Sequence, residues 1–263
     1  MAEAEAFEAG LTPRLESAMP RIPDAAVDKD EQAACRKMTQ EAKDVIAELD
    51  RLSSMRPRTP KRILERFTWQ RRLLESQCFL PLGAKERKAA AEEHLATVQA
   101  LQRALEARAQ IDVSTAMLQL GKYAVAEAEY LVASVDVPQD GRPLTEAQRQ
   151  ALEKMLGGAA GIKEALISLE NIQPRTPELM EGQWDATLRQ MQIQMVLVKP
   201  EDRRKLVETY EQYLEGAAQD LQKRVGIDAT GTSLTGLAFA RAQAAFIKAS
   251  LTLPAPPSRL ERP

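Results

Sequence analysis

The chain has 263 residues, of which 44% are hydrophobic and 28% are charged, as in proteins that bury a core. Its 36 basic and 38 acidic residues leave a net charge of −2, whereas proteins that coat nucleic acid usually carry a basic surplus. The 12 glycines and 15 prolines exclude collagen-like and low-complexity classes. We therefore expect a globular protein with no nucleic-acid partner.

The N-terminal segment predicts neither export nor a membrane anchor. It begins MAEAEAFEAG, which is acidic and lacks the basic region and the apolar run of a signal peptide. No window approaches the roughly 20 apolar residues that span a bilayer. We therefore expect a cytoplasmic protein without a transmembrane segment, in which residues 1–27 form a flexible tail.

Residues 28–136 predict a first helical repeat of four helices. Apolar residues recur every three or four positions, as they do along the buried face of a helix. Pro57 ends the first helix, and Thr59 with Pro60 has the cap and first-position residues that start the next one. The predicted buried stripes are Ala34, Met38, Ala42, Val45, Leu49 and Leu52; Ile63, Phe67, Leu74 and Cys78; Leu95, Val98, Leu101 and Leu105; and Leu118, Tyr123, Ala126, Tyr130 and Ala133.

Residues 143–253 predict a second repeat, joined to the first by a linker over residues 137–142 and followed by a flexible tail over residues 254–263. Thr145 and Gln148 have the spacing of a capping box at its first helix. The segment Met191–Val198 alternates as a strand does, but no pairing strand is apparent, so we expect a helix there.

The two predicted repeats align with each other. RPRTP at 56–60 recurs as QPRTP at 173–177, and 111–134 aligns without a gap with 227–250. Tyr123 then matches Phe239, and Tyr130 matches Phe246. We interpret this as an internal duplication of about 116 residues. The predicted fold is all-α, with about eight helices in tandemly duplicated antiparallel hairpins that pack as a coiled-coil-like bundle.

The sequence offers no constellation that predicts catalysis, a metal site or a cofactor. His94 is the only histidine and is predicted to be half-buried, while Cys35 and Cys78 are predicted to be buried or partly buried thiols. The glycines at 157–161 lack the lysine of a phosphate-binding loop and predict a close helix crossing. We therefore expect a protein that is not an enzyme.

Two further groups of residues are predicted to be structural. A solvated helix face is predicted for Glu92, Glu93, Glu127 and Glu129. Core packing at the hairpin seams is predicted for Trp69, Tyr123, Trp184 and Phe239, against the alternative of a stacking site for a ligand.

The stretch Arg224–Phe246, RVGIDATGTSLTGLAFARAQAAF, resembles the TolC-type outer-membrane efflux family. That family has a tip turn of valine, glycine and an aliphatic residue, followed by small and hydroxyl residues and a long return helix. Val225, Gly226 and Ile227 match this turn. The first repeat departs from it at Ala109 and Gln110, and the resemblance concerns the helical coiled-coil part alone.

This resemblance implies a non-catalytic helical scaffold or interaction module, associated with an efflux-type transport assembly. The implied partner is another protein, or a second copy bound through the helices. If a leader precedes the chain, the implied location is periplasmic or at the outer membrane. The alternative is a cytoplasmic helical adaptor unrelated to transport, which the acidic N-terminus favours.

The resemblance also implies where a partner binds, because the hairpin tip of TolC-type proteins meets the periplasmic adaptor. We expect Gly226 to adopt a positive φ and Ile227 to insert into a partner groove. The alternative is that Ile111 and Ile227 cap the ends of the core. The candidate partner-binding residues are Arg108, Ile111 and Asp112 in the first repeat, and Arg224, Val225, Gly226, Ile227 and Asp228 in the second.

Overall fold

The computed structural model describes residues 29–55, 59–78, 80, 82–135, 137, 144–172 and 176–251. Within this part of the chain lie eight helices and one isolated β-bridge, between Val225 and Ala229. The helices are α1 (Lys29–Met55), α2 (Pro60–Cys78), α3 (Ala84–Glu106), α4 (Thr115–Ser134), α5 (Glu146–Glu170), α6 (Pro177–Leu197), α7 (Pro200–Lys223) and α8 (Gly231–Ser250).

The all-α prediction is confirmed, and the alternating segment that begins at Met191 belongs to helix α6. The predicted tails at 1–27 and 254–263 lie outside the described residues, as does nearly all of the predicted linker. The side chain of Cys78 is outside them too, and Cys35 is half-buried. None of the described helices is long and apolar enough to cross a membrane.

Short sequence signals determine where the helices begin. In α5 the Thr145 hydroxyl accepts a hydrogen bond from the Gln148 backbone N–H, and the Gln148 side chain accepts one from the Thr145 N–H at 2.8 Å, which completes the predicted capping box. Pro177 and Pro200 lie in the first turns of their helices. A hydroxyl in the residue before the helix accepts from a backbone N–H at Ser114, Thr145, Thr176 and Thr230.

Each helix packs against the next along the chain, and in addition α2 contacts α4 and α6 contacts α8. The pairing is antiparallel. In α1 and α2, for example, Thr39 bonds to Ser76 while Asp50, further along α1, bonds to Arg66, which comes earlier in α2. The turns therefore alternate between two ends of the array. The end that holds residues 107–114 and 224–230, together with the C-terminal ends of α1 and α5, is called the tip end below.

Glycines let α4 and α5 approach each other closely. A Cβ atom at Gly158 would lie 2.9 Å from the Cβ of Tyr130, and one at Gly161 would lie 3.1 Å from the Cβ of Ala126. Gly157, by contrast, faces open space. The predicted helix crossing at this glycine cluster is confirmed, and it is the contact between the two predicted repeats.

Two predictions of buried residues are wrong, both on helices at the ends of the array. On α1, Ala42 is buried, but Ala34 is exposed and Met38 is 53% exposed. On α8, Phe239 is 66% exposed, although Trp184 of the same predicted group is fully buried. The cause is position, because within the described part of the chain the first and last helices have neighbouring helices on one side only.

Candidate functional site

The two hairpin tips have the same construction. In the first, the Arg108 carbonyl accepts hydrogen bonds from the backbone N–H groups of Ile111 and Asp112, at 2.9 and 3.2 Å. In the second, the Arg224 carbonyl does the same for the residues at 227 and 228, at 3.0 and 3.2 Å. Both tips thus fold the pattern Arg-x-x-Ile-Asp into the same turn.

An ion pair closes each turn. The Arg108 guanidinium donates two hydrogen bonds to the Asp112 carboxylate, and Arg224 donates two to Asp228. The bond to Asp112 raises the pKa of Arg108. Because all four side chains are partly exposed, these pairs add little to global stability. Their effect is local, since each pair holds its arginine and aspartate side chains together across the turn.

Both turns hold an isoleucine out in solvent. Ile111 is 75% exposed and Ile227 is 78% exposed, more than any other large hydrophobic residue that the structure describes. The alternative that these two residues cap the core is therefore wrong. Each turn is held by its arginine–aspartate ion pair and by the hydroxyl that caps the following helix, Ser114 or Thr230. These bonds fix the turn without burying the isoleucine side chain.

The tips differ at one backbone position. Gly226 has a φ of +84°, as predicted. In the described part of the chain no residue other than glycine has a positive φ, so Gln110, at the matching position of the first tip, has a negative φ. The second tip also contains the isolated bridge and a half-exposed Val225. In the first tip Ala109 stands at the position of Val225, and Val113, at the position of Ala229, is buried in the core. The two tips therefore share the isoleucine and the ion pair but differ beside them.

The tip end collects exposed apolar side chains. Because neighbouring helices are antiparallel, both tips lie at this end, and so do the last residue of α1 and the turn after α5. The exposed large hydrophobic residues there are Met55, Ile111, Ile172, Val225 and Ile227. At the other end, Val196 near the end of α6 and Phe246 near the end of α8 are exposed. Exposed apolar residues gathered in this way are typical of a surface that binds another molecule.

Charged residues are also buried far from the tips, in a group that the sequence interpretation missed. Arg71 Nη2 lies 3.2 Å from Glu127 Oε1, and Arg71 Nε lies 3.0 Å from Glu75 Oε1. Glu127 and His94 are each 3% exposed. The predictions of a solvated Glu127 and a half-buried His94 are therefore wrong. One signal was available, because Glu127 follows Tyr123 by one helical turn and so shares its buried face.

Burial alters the acid–base behaviour of this group. It lowers the pKa of His94 to about 4, and the positive charge of Arg71 acts in the same direction. Burial also raises the pKa of the Glu127 carboxyl, against the pull of Arg71. The Nδ1 atom of His94 is buried without a hydrogen-bond partner. These shifts mark a buried electrostatic cluster inside α2, α3 and α4.

The second predicted repeat packs without these charges. At the matching positions of the second predicted repeat stand Leu188, Tyr210 and Gln243 in place of Arg71, His94 and Glu127. The buried Tyr210 donates a hydrogen bond to the Trp184 carbonyl at 3.4 Å. Among the described residues, no group of three or more potential ligands could hold a metal ion.

Comparison with known protein families, characterised proteins and solved structures finds no match for this chain. We choose the two tips as the candidate site because of their geometry: they present matched, exposed isoleucines at one end of the molecule.

Proposed function

We propose that this chain is a non-catalytic helical interaction module that binds a protein partner through its two hairpin tips. One observation supports the proposal most strongly. Ile111 and Ile227 are the most exposed large apolar residues described, and they lie in two turns of the same construction at the same end of the molecule. The TolC-type resemblance supports the same surface, because tips of that kind meet a periplasmic adaptor. On this proposal the module contributes to an efflux-type transport assembly.

The energetics favour such a contact. Burying one isoleucine side chain contributes about 1.5–3 kcal/mol. Because the carbonyl bonds and the ion pair already fix each turn, little backbone freedom is lost when a partner binds. Burial of the two tip isoleucines therefore contributes a substantial part of the binding free energy of a specific complex.

The alternative is a cytoplasmic helical adaptor that uses the same tips and has no role in transport. Fractionation of cells that make the native protein separates the two proposals. Recovery with the membrane fraction supports the transport assembly, and recovery in the cytosol alone supports the adaptor.

The tips are tested by replacing both isoleucines, Ile111→Asp and Ile227→Asp, in one chain. A matched control is Val196→Asp, which places the same charge at an exposed apolar position at the opposite end. In a pull-down from the native host, partners captured by the wild type and the control should be lost by the double variant. Its helicity and melting temperature should stay close to those of the wild type.

Equal capture by all three proteins would overturn the proposal. Unfolding of the double variant would overturn it as well, because the two side chains would then be needed for the fold itself.

A further inference from the structure

Helix α8 is apolar around most of its circumference. Its only charged residues are Arg241 and Lys248, which bond to Glu215 at 2.8 Å and Glu211 at 2.5 Å on α7. Its inner face is buried through Leu237, Ala240 and Ala244. A helix that is apolar on all sides is normally covered on all sides.

One face of α8 is nevertheless exposed. Phe246 is 74% exposed and Phe239 is 66% exposed, and the alanines between and after them are exposed too. Their spacing of three and four residues places them on one line along the helix. This α8 stripe consists of Phe239, Ala242, Phe246 and Ala249.

The same stripe occurs on α4, where it is covered. The residues at the matching positions are Tyr123, Ala126, Tyr130 and Ala133. Tyr130 and Ala126 face Gly158 and Gly161 of α5, and the two clusters that hold the α4 stripe include Met155 and Ile162 of α5. The chain thus contains an example of what packs on this stripe: the first helix of the following repeat.

The counterpart of α5 in the first predicted repeat is α1, matched through the strings RPRTP and QPRTP. The buried α5 residues Ala151, Met155, Ile162 and Leu169 correspond to Ala34, Met38, Val45 and Leu52 of α1. Of these, Met38 is 53% exposed and Ala34 is exposed, while the other two are half-buried. The face of α1 that matches the covered face of α5 therefore has no neighbour within the described chain.

We propose that the α8 stripe of one copy packs against α1 of a second copy, in a contact between chains that repeats the α4–α5 contact within the chain. The contact between α4 and α5 supports this occupant, because the matching face of α1 carries Ala34, Met38, Val45 and Leu52. Where α5 has its two close-approach glycines, α1 has Glu41 and Asp44, which are paired within α1 to Lys37 and Gln40.

The geometry sets the form of the assembly. Each copy uses α8 at one end of its array and α1 at the other, so the contact is head-to-tail and leaves one free surface of each kind. Because α1 lacks the two glycines, its contact with α8 is wider than that of α5 with α4. We therefore expect weak, concentration-dependent growth past the dimer.

Sedimentation velocity of the full chain, from micromolar to near-millimolar concentration, tests the association. The wild type and the Val196→Asp control should grow in mass beyond a dimer, and a variant with Phe239→Asp and Phe246→Asp should stay monomeric. A wild type that stays monomeric overturns the proposal. So does growth that appears only after residues 1–28 or 252–263 are removed, because a terminal segment of the same chain would then cover the stripe.

Engineered cysteines test the orientation in a background with Cys35→Ser and Cys78→Ser. Positions 41 and 246 match Gly158 and Tyr130, whose Cβ atoms would be close enough for a disulfide. With a mild oxidant, a mixture of the Glu41→Cys and Phe246→Cys chains should form mixed disulfides faster than either chain cross-links with itself. Faster self-linking of the Phe246→Cys chain would show α8 against α8 and would overturn the head-to-tail contact.

Discussion

The buried histidine predicts an acid-sensitive loss of stability. In the folded protein the pKa of His94 is lowered to about 4 by burial, with Arg71 acting in the same direction, whereas the ordinary value is 6.5. Below pH 6.5 the unfolded chain therefore binds a proton that the folded chain excludes. The contribution of the neutral histidine is present above pH 6.5 and is lost as the pH falls toward 4.

The size of the effect follows from the separation of the two pKa values. The full loss is about 3 kcal/mol, and the part lost between pH 7 and pH 5 is about 2 kcal/mol. The raised pKa of Glu127 has the opposite sign, because the folded state then holds a proton that the unfolded state has released. A His94→Gln variant lacks the contribution of the histidine but keeps that of Glu127. The difference in stability between the wild type and this variant therefore isolates the contribution of His94.

The assay is urea unfolding of both proteins at pH 7 and pH 5, followed by far-ultraviolet circular dichroism. Since His94 is the only histidine, no other histidine titrates in this interval. The wild type should lose about 2 kcal/mol more than the variant between the two pH values. Equal losses would refute the reasoning, because His94 would then take up its proton in the folded state as easily as in the unfolded one.

Two further predictions concern packing and the buried charges. Gly158→Ala should lower the free energy of unfolding by about 1–3 kcal/mol, because the new methyl group meets Tyr130. Gly157→Ala, which places its methyl group in open space, should raise the free energy of unfolding by about 0.5–1 kcal/mol. Equal effects of the two substitutions in urea titrations would contradict the close crossing. Arg71→Leu should cost about 3 kcal/mol by leaving Glu127 buried without its partner, and adding Glu127→Gln should restore most of that stability. A double variant no more stable than Arg71→Leu alone would show that the ion pair itself is required.

Local signals in the sequence were sufficient for much of the fold. Apolar spacing predicted the helices, Thr145 with Gln148 predicted a capping box, and the glycine cluster predicted a close helix crossing. These features depend on residues within a turn or two of each other, or on one facing helix. Pattern and packing agree there because each helix in the middle of the array has a neighbour on both sides.

The remaining features depend on which helix has a neighbour. The stripes that contain Tyr123 and Phe239 are nearly identical in sequence, yet the first is buried against α5 and the second is exposed. Glu127 looked like a surface residue because its partner, Arg71, comes from another helix. At the tips, the positive φ of Gly226 could be predicted from residue type, but the exposure of both isoleucines depends on the carbonyl bonds and ion pairs of the folded turns.

The claim that both tips bind the partner is tested most directly by measuring affinities for four proteins. The ligand is the partner captured in the pull-down, after purification. These are the wild type, the two single variants Ile111→Asp and Ile227→Asp, and the double variant, each measured by isothermal titration calorimetry. Losing the burial of one isoleucine should weaken binding about 10- to 100-fold, and the double variant should lose roughly the product of the two factors. Wild-type affinity in the double variant would contradict the account.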